Sequence, residues 1–222
     1  MLTLYHGSTQ KILKPSLLAG KANNDYGRGF YCTKDIKLAS EWACKSSTDV
    51  GYVNKYSLDT SELKILDLSD NKYNILHWMA LLVQNRTFSI NSPITKQSMD
   101  FLKENFTIDT SEYDLIQGYR ADDSYFSFAE DFLGNTITIE HLSRAMKLGK
   151  LGIQHVLISQ KSFNRLHFDS ATEVDGTVYH LAHKTRDTKA RVDYFESREN
   201  FKLTEGDVFI ADILRGGGKE WL

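Results

Sequence analysis

Short apolar strand candidates alternate with amphipathic helical stretches in no regular order, and this irregularity constrains the fold more than any other feature of the sequence. Leu2–Tyr5 running into His6-Gly7-Ser8, Phe30–Thr33, Tyr52–Leu58, Leu63–Leu68, Tyr113–Gly118 and Gln154–Gln160 have the length and apolar content of strands. Asp35 has the chemistry of a helix start, and Ile36, Ala39, Trp42 and Ala43 follow it at helical spacing. Ile75, Leu76, Met79, Leu82 and Val83 predict one apolar stripe on a helix over Tyr73–Arg86. Ser92-Pro93 predicts a second helix start, running to about Phe106. Further helices are expected over Asp123–Leu133, Ile139–Leu148 and, highly charged, Val178–Glu199, before a last apolar run at Val208–Leu214. Strict strand–helix alternation would predict a parallel sheet; this order predicts an α+β fold.

The 222 residues contain two prolines, Pro15 and Pro93, and no Gly/Ser-rich linker, repeat or low-complexity run, so one domain over residues 1–222 is expected. Its 41% hydrophobic and 25% charged residues are the balance of a globular chain able to bury a core. A formal charge of −2 gives no general attraction to nucleic acid or to an anionic membrane. The first residues lack a basic region followed by an apolar stretch, and no segment approaches the ~20 apolar residues of a membrane-spanning helix. A cytoplasmic protein is expected. Two cysteines, Cys32 and Cys44, cannot form a zinc site alone and are read as reduced thiols.

Three separated pieces carry the chemistry: Leu4-Tyr5-His6-Gly7-Ser8, Gly27-Arg28-Gly29-Phe30-Tyr31-Cys32-Thr33, and Gln154-His155-Val156-Leu157-Ile158. Each alone is weak, since a histidine ending a strand or a tyrosine after glycines is usually structural. Together and in this order they resemble the His–Tyr–Glu signature of the diphtheria-toxin and poly(ADP-ribose) polymerase branch of ADP-ribosyltransferases. The chain from residue 2 to about 168 is similar, more closely, to an uncharacterised bacterial family of that fold. The further shared pieces are Ala39-Ser40-Glu41-Trp42-Ala43, Tyr113-Asp114-Leu115-Ile116 with Ala121-Asp122-Asp123, and the late strand that Gln154 opens. The resemblance implies a split β-sandwich of two small, mostly antiparallel sheets with surrounding helices, and a C-terminal helical extension and tail over about 178–222.

It also implies NAD as a substrate, with no metal. His6 would bond a ribose hydroxyl through its donor and acceptor nitrogens. Gly7, beside Ser8, would bring bare backbone to the nicotinamide amide. Tyr31 would stack on the nicotinamide ring, with Trp42 as a second wall or as a core residue. Arg28, ahead of Arg120, would meet the pyrophosphate. Well-characterised transferases carry Glu where this chain, like the closer bacterial family, has Gln154, which keeps an acceptor and loses the charge that stabilises the developing oxocarbenium ion. That change argues against polymer elongation and leaves mono-ADP-ribosylation of a bacterial or phage macromolecule, as a toxin with a possible antitoxin partner or in an anti-phage system. A non-catalytic module binding NAD, a nucleotide or a partner protein is the alternative, and an NAD glycohydrolase a third reading. Asp122, Asp123 or Glu173 are candidates for the missing charge, although Asp122-Asp123-Ser124 also reads as a helix cap. His180 and His183 share a helical face without a third metal ligand. Lys184, Arg186, Lys189 and Arg191, interleaved with Asp187 and Asp193, read as intrahelical ion pairs.

Overall fold

The structure, a computed structural model, describes residues 1–121, 123–147, 151–204 and 206–216, without the side chains of residues 123–125. Its described strands are β1 (Leu2–Ser8), β2 (Phe30–Thr33), β3 (Val50–Leu58), β4 (Ile65–Asp67), β5 (Leu115–Tyr119), β6 (Ile153–Leu157) and β7 (Leu166–Asp175). The helices are α1 (Ile36–Ala43), α2 (Ile75–Asn85), α3 (Pro93–Asn105), α4 (Asp123–Leu133), α5 (Ile139–Ala145), α6 (Gln160–Asn164), α7 (Gly176–Glu199) and α8 (Ile210–Arg215). The fold is α+β. Hydrogen bonding joins the strands in the order β4-β5-β6-β2-β1-β3-β7. All neighbours are antiparallel except β4 and β5.

Two separate sheets were the expectation, and the observed order is one sheet with a weak middle. β1 meets β3 along its whole length, from Leu2–Leu58 to Ser8–Tyr52, but meets β2 at one register pair, Tyr5 with Thr33. The sheet thus narrows to one rung between the group β1, β3, β7 and the group β2, β6, β5, β4.

Period-two alternation divides the core. On β5 and β6, Leu115 and Leu157 enter a cluster with Leu4, Phe30, Tyr56 and Phe163, whereas their neighbours Ile116 and Val156 enter a larger cluster with Trp78, Phe128, Phe132 and Tyr194. α2 is the centre of the larger cluster. Where a single stripe was predicted, Leu76 and every residue from Trp78 to Val83 are buried, because α3 covers a second side of a helix that is apolar nearly all round. The Asn74 side chain caps α2 by accepting from the Leu76 N–H, as Asp35 caps α1 and Ser92 caps α3.

Gly7 sets how α1 sits on the sheet. A Cβ at this position would lie 2.0 Å from the Ala39 carbonyl oxygen and 2.7 Å from the Ala43 nitrogen, so the helix rests on bare backbone. α7 then clamps α1 from outside through a largely buried ion pair, Arg186 Nε to Glu41 at 2.7 Å. It reaches α4 through Tyr194, whose hydroxyl donates to Asp131 at 2.6 Å. The predicted intrahelical pairs of α7 are present between Lys189 and Asp193 and between Arg191 and Asp187.

Candidate functional site

β1 and β2 run antiparallel at the narrow middle of the sheet, so His6 and Gly7, just after their shared rung on β1, and Tyr31, just before it on β2, open onto a common space. A cleft of about 760 Å³ lies there, lined by His6 and Gly7 of β1, Tyr31 of β2, Trp42 of α1 and Gln154 of β6. Residues separated by most of the chain therefore converge on one cavity. Ser8 and Arg28 are not among its lining residues. The Ser8 hydroxyl accepts from the Gln10 N–H in a local turn. The exposed Arg28 donates to the Leu18 and Gly20 carbonyls, both at 2.9 Å, and so closes its own loop. Glu173 is exposed on the edge strand β7, and Asp122 and the Asp123 and Ser124 side chains lie outside the described residues.

His6 is fixed by its backbone neighbour. Its Nδ1 lies 2.7 Å from the Tyr31 carbonyl oxygen, which can only accept, so Nδ1 carries the proton and Nε2 is the acceptor of the neutral ring. Burial lowers its pKa from the ordinary histidine value and favours that neutral ring. The ring also lies against Phe30, 4.4 Å between centroids.

Tyr31 presents its ring because its hydroxyl is already engaged. The hydroxyl donates to the Gly27 carbonyl at 2.7 Å and accepts from the Tyr26 N–H at 3.0 Å. Gly27 can close this turn because it adopts φ +73°, a conformation glycine takes without steric cost. Burial pushes the Tyr31 pKa well above the usual tyrosine value, so the hydroxyl stays neutral at physiological pH. Trp42 is 39% exposed, with the Arg120 guanidinium 5.1 Å from its ring centroid and the His183 ring 5.0 Å away. His183 therefore supports a cleft residue. Among the described residues no group of three or more His, Cys, Asp or Glu is arranged to hold a metal ion.

Gln154 is 3% exposed. Its Nε2 donates to Asp25 Oδ2 at 3.0 Å and to the Tyr119 carbonyl at 3.1 Å. Asp25 is the only carboxylate among the described residues lining the cleft, and sequence reasoning did not single it out. It also accepts from the Ala121 N–H at 2.9 Å and pairs with Arg86 at 2.9 Å. Burial raises the Asp25 pKa, while the Ala121 N–H, Gln154 and Arg86 act in the opposite sense. Lys14, Lys21, Arg86 and Arg120 line the same cleft, so its local charge is positive although the whole chain is slightly acidic. Cys32 also lines it, but burial raises its pKa and leaves it a thiol rather than a thiolate nucleophile. Cys32 and Cys44 are both free.

Aromatic faces, oriented acceptors and cations in one cleft suit an anionic ligand that carries a flat ring. The sequence profile of a family described as a protein of unknown function (DUF3990) matches residues 2–168. The chain belongs to this family. The matched span contains every cleft-lining residue named above, from His6 to Gln154, and stops before α7 and α8. No curated protein and no solved structure matches the chain.

Proposed function

We propose that this DUF3990 member is an NAD-dependent mono-ADP-ribosyltransferase that modifies a macromolecular acceptor. The observation that carries the reading is the convergence of His6, Gly7, Tyr31, Trp42 and Gln154 on one cleft, in the order expected from the resemblance. The single rung between β1 and β2 supports a split sandwich, with β1, β3 and β7 as one sheet and β2, β6, β5 and β4 as the other. His6 Nε2 would accept from a ribose hydroxyl. The Gly7 backbone would meet the nicotinamide amide, with Tyr31 and Trp42 against its ring. Arg86 and Arg120 would face the pyrophosphate, taking the part first expected of Arg28.

The reaction breaks the bond between ribose C1′ and the nicotinamide nitrogen, and its electron pair leaves with the now neutral nicotinamide. The acceptor's nucleophile then bonds to C1′ and gives its proton to solvent. A bacterial or phage target, and action as a toxin held by an antitoxin, belong to this reading through the resemblance alone. The amide of Gln154, where the well-characterised enzymes that the chain resembles carry a carboxylate, favours a second reading: a module that binds NAD without turning it over.

The test is to incubate the purified protein and its Tyr31→Ala variant with NAD labelled on the ADP-ribose in cell lysate. Nicotinamide release and macromolecular label that both vanish in the variant are the expected result, and the labelled fraction identifies the acceptor class. Nicotinamide release without label would replace the transferase with an NAD glycohydrolase. Binding without release would leave the module.

A further inference from the structure

The Gln154 amide cannot turn over. Both of its N–H groups meet acceptors: Asp25 Oδ2, which also faces the Ala121 N–H while Oδ1 of the same carboxyl meets the Arg86 guanidinium, and the Tyr119 carbonyl. A flipped amide would put Oε1 against those two oxygens and leave all three without a hydrogen between them. The Tyr119 carbonyl is held in place by the Tyr26 hydroxyl at 2.7 Å and the Trp78 indole at 3.2 Å. Asp25 is held by the Ala121 N–H and Arg86. No donor among the described residues reaches Gln154 Oε1, so position 154 offers the cleft an acceptor alone, as a carboxylate would.

A glutamate at this position would meet the same two acceptors with a second negative charge. Like charges this close cannot both ionise without a large cost. The site is thus matched to glutamine at 154 and a carboxylate at 25.

We propose that Asp25 is the positioning carboxylate of the site, locking the Gln154 amide with its oxygen toward the cleft and supplying, one side chain away, the negative charge that Gln154 lacks. This rests on the transferase reading for its role in turnover, but the locked amide is measurable without turnover. Charge at position 25, offset in part by its Arg86 partner, acts on a developing cation across one intervening side chain, so it is felt beyond direct contact. Asp25 thereby takes the place first sought among Asp122, Asp123 and Glu173.

The decisive comparison uses the full chain as wild type, Gln154→Glu, Asp25→Asn and the double variant D25N/Q154E. If position 154 merely lacked a carboxylate, Gln154→Glu would raise nicotinamide release. Our expectation is the opposite: Gln154→Glu and Asp25→Asn each lower kcat by at least about tenfold with a smaller change in KM, and the double variant recovers much of the loss. Thermal melts separate a misfolded variant from an inactive one, and a folded double variant keeps the comparison decisive if Asp25→Asn alone unfolds. In parallel, the 15N-detected side-chain amide signals of Gln154, assigned by their loss in Gln154→Glu, are expected to be slow to exchange and to shift in Asp25→Asn. Higher turnover in Gln154→Glu would overturn the proposal, as would amide signals indifferent to Asp25→Asn. A wild type that releases no nicotinamide overturns the transferase reading, and the amide signals then decide the positioning role by themselves.

Discussion

Tyr31 divides its labour between its two ends, and substitution can separate them. Its hydroxyl ties the Gly27 turn to β2 and its ring lines the cleft. Tyr31→Phe is expected to cost about 1–2 kcal/mol in a thermal or denaturant melt while keeping nicotinamide release within a few-fold of wild type. Tyr31→Ala removes the ring and is expected to abolish release. Equal loss in both variants would show that the hydroxyl, not the face, is what the cleft uses. His155 gives a purely structural prediction. It sits at the centre of β6, 1% exposed, and burial moves its pKa from 6.5 to about 4. The folded state thus resists a proton that the unfolded chain accepts. Stability is full above pH 6.5 and falls as pH drops toward 4, by up to about 3 kcal/mol for this group. His6, His77, His141 and His183 are shifted in the same direction. Melts between pH 7 and 4.5 should show the decline, and His155→Gln should make it shallower.

At the scale of elements, α1 and β1 approach as closely as backbones allow. Gly7→Ala would press a methyl group into the Ala39 carbonyl, and the helix must lift. A loss of roughly 1–3 kcal/mol is expected, with the shift of Trp42 visible in tryptophan fluorescence. Unchanged stability would mean that α1 is not seated as described. Removing the cap of α2 with Asn74→Ala should cost about 1 kcal/mol, since it frees an N–H at the head of the most buried helix. Elements of this kind were legible because apolar spacing and caps are local signals. β2 and α4 coincide with their predicted spans, and α1 begins after the predicted Asp35 cap. β7 was illegible. Its residues His167, Asp169, Ser170, Thr172 and Glu173 make a polar run, and what makes it a strand is an edge ladder with β3 that no local pattern announces. Asp25 was illegible for a related reason: beside Asn23 and Asn24 it looks like a turn former, and its partners Arg86, Ala121 and Gln154 are distant in sequence. Arg86, at the C-terminal end of α2, likewise resembles any basic residue closing a helix.

The molecule as a whole is larger than the part that the family profile recognises. Ala190 and Tyr194 of α7 and Ile210 and Ile213 of α8 belong to the same buried cluster as Trp78 and Phe128. The expected C-terminal extension is therefore part of the core up to Ile213. A chain ending at residue 175 would expose that cluster. It is expected to lack a cooperative melt and to give poorly dispersed NMR spectra, although it keeps every named cleft residue. A cooperative melt of the fragment would show the extension to be dispensable. The positively charged cleft makes a different demand. On the proposed function, NAD affinity should weaken severalfold between low and high salt, because Arg86, Arg120, Lys14 and Lys21 act partly through solvent.

The narrow middle of the sheet has a mechanical consequence. A ladder resists bending in proportion to its rungs, and here β1 and β2 share one backbone rung, with the His6–Tyr31 bond beside it. The backbone ladder of this one sheet is narrowest between β1 and β2, beside the cleft-lining His6 and Tyr31. Rotating one group of strands against the other strains about one or two ladder hydrogen bonds, so what resists it is the packing across the join, Leu4 and Tyr56 against Phe30, Leu115 and Leu157. Thermal motion should concentrate at that joint, where the jaws of the cavity can widen to admit a bulky ligand while the walls that grip it stay rigid.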